Sequence, residues 1–230
     1  MMKIIWMMVL LLGINLAFAT IADGDKAIDA GDYQEAITQY SAALASQPNN
    51  ANVLYKLAKA KTYFAESLTG AEAETMYAEA ADHARAAIAL APDKPETHME
   101  LARALGRLAQ FKGVLQSLGL AAEVKSELEK ATELDAGYAA ALHALALWHL
   151  EVPWIAGGRT GQVRPLFDQA IASEPNEIIH YVDYADALIR LGDKEAAKTQ
   201  LEAALALTVE SYRDQQDQAK AQQMLGELSQ

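Results

Sequence analysis

The sequence predicts an all-α chain: a stack of about five helical hairpins, closed by one C-terminal capping helix. Three observations carry this expectation. One segment recurs five times, as DYQEAITQYSAALASQPNN, YAEAADHARAAIALAPDKP, AAEVKSELEKATELDAGYA, GQVRPLFDQAIASEPNEII and DKEAAKTQLEAALALTVES. A second segment precedes four of these, as LYKLAKAKTYF, HMELARALGRL, LHALALWHLEV and YVDYADALIRL. Within both, apolar residues fall three, four and seven apart, as one face of a helix requires. Glycine, proline and asparagine punctuate the runs where a helix must stop.

Taken in order, the first unit spans residues 20–50. Gly24 holds its small position, and Ala36, Tyr40, Ala43 and Pro48 mark its second helix. The unit over 51–94 carries Leu57-Ala58, then Ala80, Ala84, Ala87 and Pro92; that over 95–138 carries Leu101-Ala102, then Val124, Leu128, Ala131 and Ala136. The unit over 139–177 carries Leu145-Ala146, then Val163, Phe167, Ala170 and Pro175; that over 178–210 carries Tyr184-Ala185, then Ala197, Leu201, Ala204 and Val209. Successive shared alanines (43, 87, 131, 170, 204) are 44, 44, 39 and 34 residues apart, and the extra residues lie inside the units. AEAETMYAEAADHARAAIAL has no breaker, so its insertion predicts a longer helix. In FKGVLQSLGLAAEV, Gly113 and Gly119 offer two alternative turns. Residues 211–229 predict the capping helix. Ser211 caps it, Asp214 sits in the first turn, and Tyr212, Ala219, Met224 and Leu228 give a modest apolar stripe.

This pattern resembles the tetratricopeptide repeat (TPR) family, whose unit of about 34 residues has small residues where helices cross and a proline after helix B. The resemblance covers roughly residues 20–209. It implies a right-handed superhelix whose helix-A faces line a concave groove. The family's helix-A tryptophan is missing from every unit, and the residue set with which some members bind C-terminal carboxylates does not recur; Tyr55 stands where a lysine belongs. ALHALALWHLEV with its glycine-rich loop also resembles the regulator-of-microtubule-dynamics group and its bacterial TPR relatives. Only the architecture is carried over from that likeness, because an exported bacterial chain does not meet microtubules.

Residues 1–19 read as a bacterial Sec-type signal peptide. Met1-Met2-Lys3 is a short positive start, Ile4 to Leu16 is nearly all apolar, and Ala17-Phe18-Ala19 is a cleavage site with the cut expected between Ala19 and Thr20. The expected location is periplasmic or secreted, with no stable membrane anchor after cleavage. The chain has no cysteine, which excludes a lipidated anchor, disulfides and thiolate metal sites. Its formal net charge is −12, and loss of Lys3, the one charged residue in 1–19, makes that −13. Such acidity argues against nucleic acid and anionic lipid as partners.

The predicted groove face carries Tyr55, Lys59, Tyr63, Met99, Arg103, Arg107, His143, Leu147, Val182, Asp186 and Arg190. Lys59 and Arg103 hold equivalent places in neighbouring helices, and Arg107 lies one turn beyond Arg103. A basic strip inside an acidic protein points to a protein or peptide partner with an acidic or carboxylate-bearing segment. The bland alternative is that these cations pair with groove carboxylates such as Glu100 or Asp186.

Catalytic, cofactor and metal residues are expected to be absent. No G-x-S-x-G, H-E-x-x-H or phosphate-loop spacing occurs. His143 and His149 fall on different helix faces, and His180 with Asp183 lacks a third ligand. The stretch WHLEVPWIAGGRTG (148–161) holds two of the three tryptophans. It predicts a helix end at Val152-Pro153 and an enlarged turn, with Trp148 and His149 packing and Trp154-Ile155 tucked against the stack. The expected function is a non-catalytic, exported interaction module, an adaptor or assembly factor for an envelope complex. The alternative is a periplasmic hydrolase or metal-binding protein with its site near 153–161.

Overall fold

A computed structural model describes residues 20–228. The signal-peptide reading of 1–19 and the last residue of the predicted capping helix lie outside that range.

The described residues form an all-α stack. Helix pairs are α1 (Ile21–Asp29) with α2 (Tyr33–Ser46), α3 (Ala51–Ala65) with α4 (Gly70–Leu90), α5 (Pro95–Leu108) with α6 (Val114–Leu134), α7 (Ala139–Glu151) with α8 (Val163–Ser173), and α9 (Ile178–Arg190) with α10 (Lys194–Ala206); α11 (Tyr212–Leu228) follows. Side chains of Thr20, Asp32, Asn50 and Asp193 cap α1, α2, α3 and α10 by accepting backbone N–H groups. Pro95 opens α5, where its missing N–H costs nothing.

The recurring small residues are where helices meet. Ala36, Ala43, Ala80, Ala87, Ala131, Ala170, Ala197 and Ala204 are all essentially inaccessible. Tyr40, Leu128, Phe167 and Leu201 fill the space between them. Gly24 lies under the Tyr40 ring, and a β-carbon there collides with it. A stack of this kind buries a continuous core only through its neighbours.

The insertions resolve simply. Both long units extend helix B: α4 and α6 have 21 residues each, against 14 in α2 and 13 in α10. In the third unit the turn falls at Gly113, after a 3-10 turn at Ala109–Phe111, and Gly119 lies inside α6. The fourth unit spends its extra residues on two 3-10 turns, Trp154–Ala156 and Thr160–Gln162.

The terminal helix has the expected reciprocal cap: Asp214 N–H donates to Ser211 Oγ (3.1 Å) and Ser211 N–H donates to Asp214 Oδ2 (2.9 Å). Its buried stripe differs from expectation. Asp217 and Ala221 are buried, Met224, Leu225 and Leu228 are half-buried against α9 and α10, and Ala219 faces solvent.

Candidate functional site

The concave face of α3 carries Tyr55, Lys59, Tyr63 and Glu66 in line, three or four residues apart. Its first half borders an open cleft of ≈ 290 Å³ shared with Asp25, Asp29, Lys56, Glu96, Glu100 and Tyr138. Of the residues predicted to line the groove, Tyr55 and Lys59 lie here. The cleft wall holds four carboxylates against two lysines, and one lysine is committed: Lys56 Nζ donates to Asp25 at 2.5 Å. Tyr40 also donates to Asp25 (2.6 Å), and burial raises its phenol far above the ordinary range.

The arginines of the expected basic strip are paired with carboxylates, the alternative that the sequence left open, while Lys59 is in no ion pair among the described residues. Arg103 Nε donates to Glu100 Oε2 at 3.0 Å, and the Glu100 side chain is 5% exposed. Burial opposes the Arg103 charge, but the adjacent carboxylate prevails and raises its pKa. Arg107 donates to Glu66 (2.9 Å), and Arg190 bonds Glu151 with Asp186 at 3.8 Å. Lys59 stands 5.5 Å from the Tyr63 ring centre. It is also near enough to Glu174 and Glu177 to favour their charged forms.

Two other predicted groove residues belong to the core. Met99 is 3% exposed and Val182 is fully buried, because the A helices turn these positions toward their partners. Leu147 is half-buried against the C-terminal core. His143 is buried too. Its Nδ1 lies 2.8 Å from His180 Nδ1, and its Nε2 lies 3.2 Å from Asp183 Oδ2. Desolvation lowers the His143 pKa, and the Asp183 carboxylate works against it. If Nε2–H donates to Asp183, His143 Nδ1 accepts from His180 Nδ1–H, and 3.7 Å from Glu174 Oε2 stands His180 Nε2. That atom is buried without a hydrogen-bond partner. Burial works to raise the Asp183 pKa, but the His143 hydrogen bond and Lys220 (Nζ–Oδ1 2.9 Å) overcome it and hold it at about 2. Thus His180 and Asp183 do meet a third group, supplied by the preceding repeat. Among the described residues no cluster of three or more His, Cys, Asp or Glu is placed to hold a metal.

Sequence reasoning missed the far end of the α3 face. Arg213 of α11 donates from Nη1 to Glu66 Oε2 at 3.1 Å, across 147 residues of sequence. Its guanidinium sits 4.1 Å from the Tyr63 ring centre, and Tyr33 meets Tyr63 edge-on at 5.4 Å. Beside them the Tyr212 ring covers Gly31, whose φ of +77° suits glycine and whose position has no room for a β-carbon. The stack therefore curves until its last helix touches its first two hairpins. That curvature is a sum over five units, and no local signal in the sequence reports it.

The 153–161 loop is enlarged as expected, with one correction. Trp148 packs and donates to the Ala121 carbonyl (2.8 Å), and α7 ends at Glu151. His149 sits edge-on to Trp148. Trp154 and Ile155 do not tuck in: they are 84% and 81% exposed. Gly158 closes the turn against the Val152 carbonyl, where a β-carbon has no room.

Helical hairpins with small residues at the crossings, stacked in series around a concave face, define a TPR-type solenoid. The family model described as Regulator of microtubule dynamics protein 1-3 matches residues 20–155, more than half of the chain, and the chain belongs to that family. No curated protein matches its sequence. A thermophilic TPR protein of Thermus thermophilus, TTC0263, is similar in structure with a TM-score of 0.72 and 20% identity, over 88% of this chain and 97% of its own. MamA (41-end) from Desulfovibrio magneticus RS-1 is similar at a TM-score of 0.51 and 15% identity, over 80% and 90%. At such identities the likeness is one of fold.

Proposed function

We propose that the chain is an exported interaction module, periplasmic or secreted, which holds a polypeptide segment of a partner along the concave face of α3 and α5. Its role is that of an adaptor or assembly factor for an envelope complex. The observation that carries this reading is the open cleft beside Tyr55 and Lys59: aromatic rings and four carboxylates, with Asp29 in no ion pair among the described residues, line a concave surface made by rigid helices. The export half rests on the signal-like residues 1–19. With the strip of arginines already paired, the cleft favours a cationic segment over the acidic one that the sequence suggested.

The test is a quantitative pull-down from an envelope extract with the full chain and with Tyr55→Ala plus Asp29→Lys. Both positions are partly exposed, so the variant folds. Loss of about tenfold in affinity, near 1.4 kcal/mol, is expected. Unchanged capture refutes the cleft. Mass spectrometry of the exported protein tests the leader: an intact Met1 contradicts cleavage before Thr20.

A further inference from the structure

We propose that Tyr33, Tyr63 and Glu66 form an arginine-reading subsite, occupied by the chain's own Arg213 until an arginine-bearing partner segment displaces it. The inference rests on the concave face being the binding face, and adds the chemistry of the partner and a gate.

The corner has the parts a guanidinium needs. Glu66 offers a carboxylate that already takes two arginines, Arg107 on Oε1 and Arg213 on Oε2. The Tyr63 ring offers its face to the cation, braced by Tyr33 edge-on. The Tyr33 hydroxyl is buried beside the Arg213 guanidinium, whose charge acts on it, so the corner offers a guanidinium a further acceptor. A planar fork of N–H donors fits this set better than the point charge of a lysine. The net charge of −12 draws cationic segments to the protein.

The corner is also placed to act. Tyr55 and Glu66 lie on one face of α3, 11 residues apart, which spans about 16 Å and matches roughly five extended residues. A segment entering the open cleft beside Tyr55 thus reaches Glu66 at its far end. Arg213 can leave without unfolding its helix. The rest of α11 is held elsewhere: Ala221 is buried in the C-terminal core, Gln218 donates to the Ala204 and Leu207 carbonyls, and Lys220 binds Asp183. The Arg213 side chain is 30% exposed and that of Glu66 29%, so a competitor has access.

The experiment titrates the full chain with a blocked pentapeptide, Ser-Tyr-Arg-Asp-Gln, the sequence of residues 211–215. Tyrosine ring resonances are followed by NMR in wild type, Arg213→Ala, Arg213→Lys, and Arg213→Ala combined with Glu66→Gln. In Arg213→Ala the rings of Tyr33 and Tyr63 should shift saturably. Wild type should bind about tenfold more weakly if the corner is free a tenth of the time, because apparent affinity scales with the competent fraction. Arg213→Lys should fall between, and Glu66→Gln should abolish the response. A peptide with lysine for arginine should bind at least about fivefold more weakly. Equal binding to wild type and Arg213→Ala, no binding to Arg213→Ala, or equal binding of the lysine peptide each overturns the proposal. Capture of a partner that depends on Tyr55 and Asp29 but ignores Tyr33→Phe with Glu66→Gln overturns the subsite alone. Indifference to both pairs overturns the groove as well.

Discussion

The corner around Glu66 and the loop from Val152 to Gln162 use their side chains in opposite ways. The corner gathers tyrosines, arginines and a carboxylate from four segments, α2, α3, α5 and α11, and each Glu66 oxygen takes an arginine. The loop, with the last turn of α7 before it, gathers two tryptophans, a histidine and three glycines within residues 148–161, yet its apolar tip stands in solvent and, among the described residues, the histidine joins no metal-type cluster. The difference teaches that local density of distinctive residues is a poor guide to a site in a repeat protein. Sites are assembled on the concave side by curvature, from residues that are ordinary in their own neighbourhoods.

The contrast can be tested by substitution, and the largest effect belongs to the concave side. Arg103→Ala leaves the buried Glu100 carboxylate without its partner, and should lower stability by about 3 kcal/mol in thermal or denaturant unfolding. The more exposed pair at the corner behaves differently: Arg107→Ala should cost under about 1 kcal/mol. A loss as large there would mean the corner is a structural lock.

Next is the loop's hinge. Gly158→Ala puts a β-carbon into the Val152 carbonyl and should cost about 2 kcal/mol, with a change in Trp148 fluorescence as the turn above it moves. An unaltered spectrum and stability would show that the loop is soft.

A smaller effect is expected from Asp217, which is buried on α11 and whose pKa burial raises to about 6. Arg213 and Lys220 act to lower that pKa; Asp183 and Glu177 act to raise it. Because the folded value lies above the unfolded one near 3.8, the group favours the fold below pH 4, and that contribution is lost as pH rises through 6. Asp217→Asn should therefore be more stable than wild type at pH 7, by at most about 2 kcal/mol, with the gap closing at pH 4. Denaturant midpoints at the two pH values measure this, and a pH-independent gap contradicts it.

The smallest effect is expected at the loop tip. Trp154→Ala with Ile155→Ala should change stability by under about 0.5 kcal/mol, since both side chains already face water.

Much of the fold was legible in the sequence. The alanines at 43, 87, 131, 170 and 204 mark helix crossings that admit little else, and each is essentially inaccessible. Local rules also placed the Ser211–Asp214 cap, the long α4 and the end of α7 just before Val152-Pro153. Gly119 stayed open as an alternative to Gly113 because a glycine inside a helix costs only about 1 kcal/mol against alanine, too little to mark a turn by itself. The candidate site was legible on one side only. The face of α3 follows from spacing of three and four, so Tyr55, Lys59 and Tyr63 could be aligned. Met99 and Val182 were misplaced because helix-A positions alternate between groove and core within a small rotation. Arg213 was unreadable because its contact depends on superhelical closure.

The central claim is that the concave face of α3 and α5 is where a partner binds. Hydrogen–deuterium exchange on the full chain, with and without a partner recovered from the envelope, tests it most directly. Slowed exchange is expected in residues 51–66 and 95–108, with faster exchange in the first turn of α11 as Arg213 is released. Protection confined to residues 152–162 or to the outer B helices, with α3 unchanged, would contradict it.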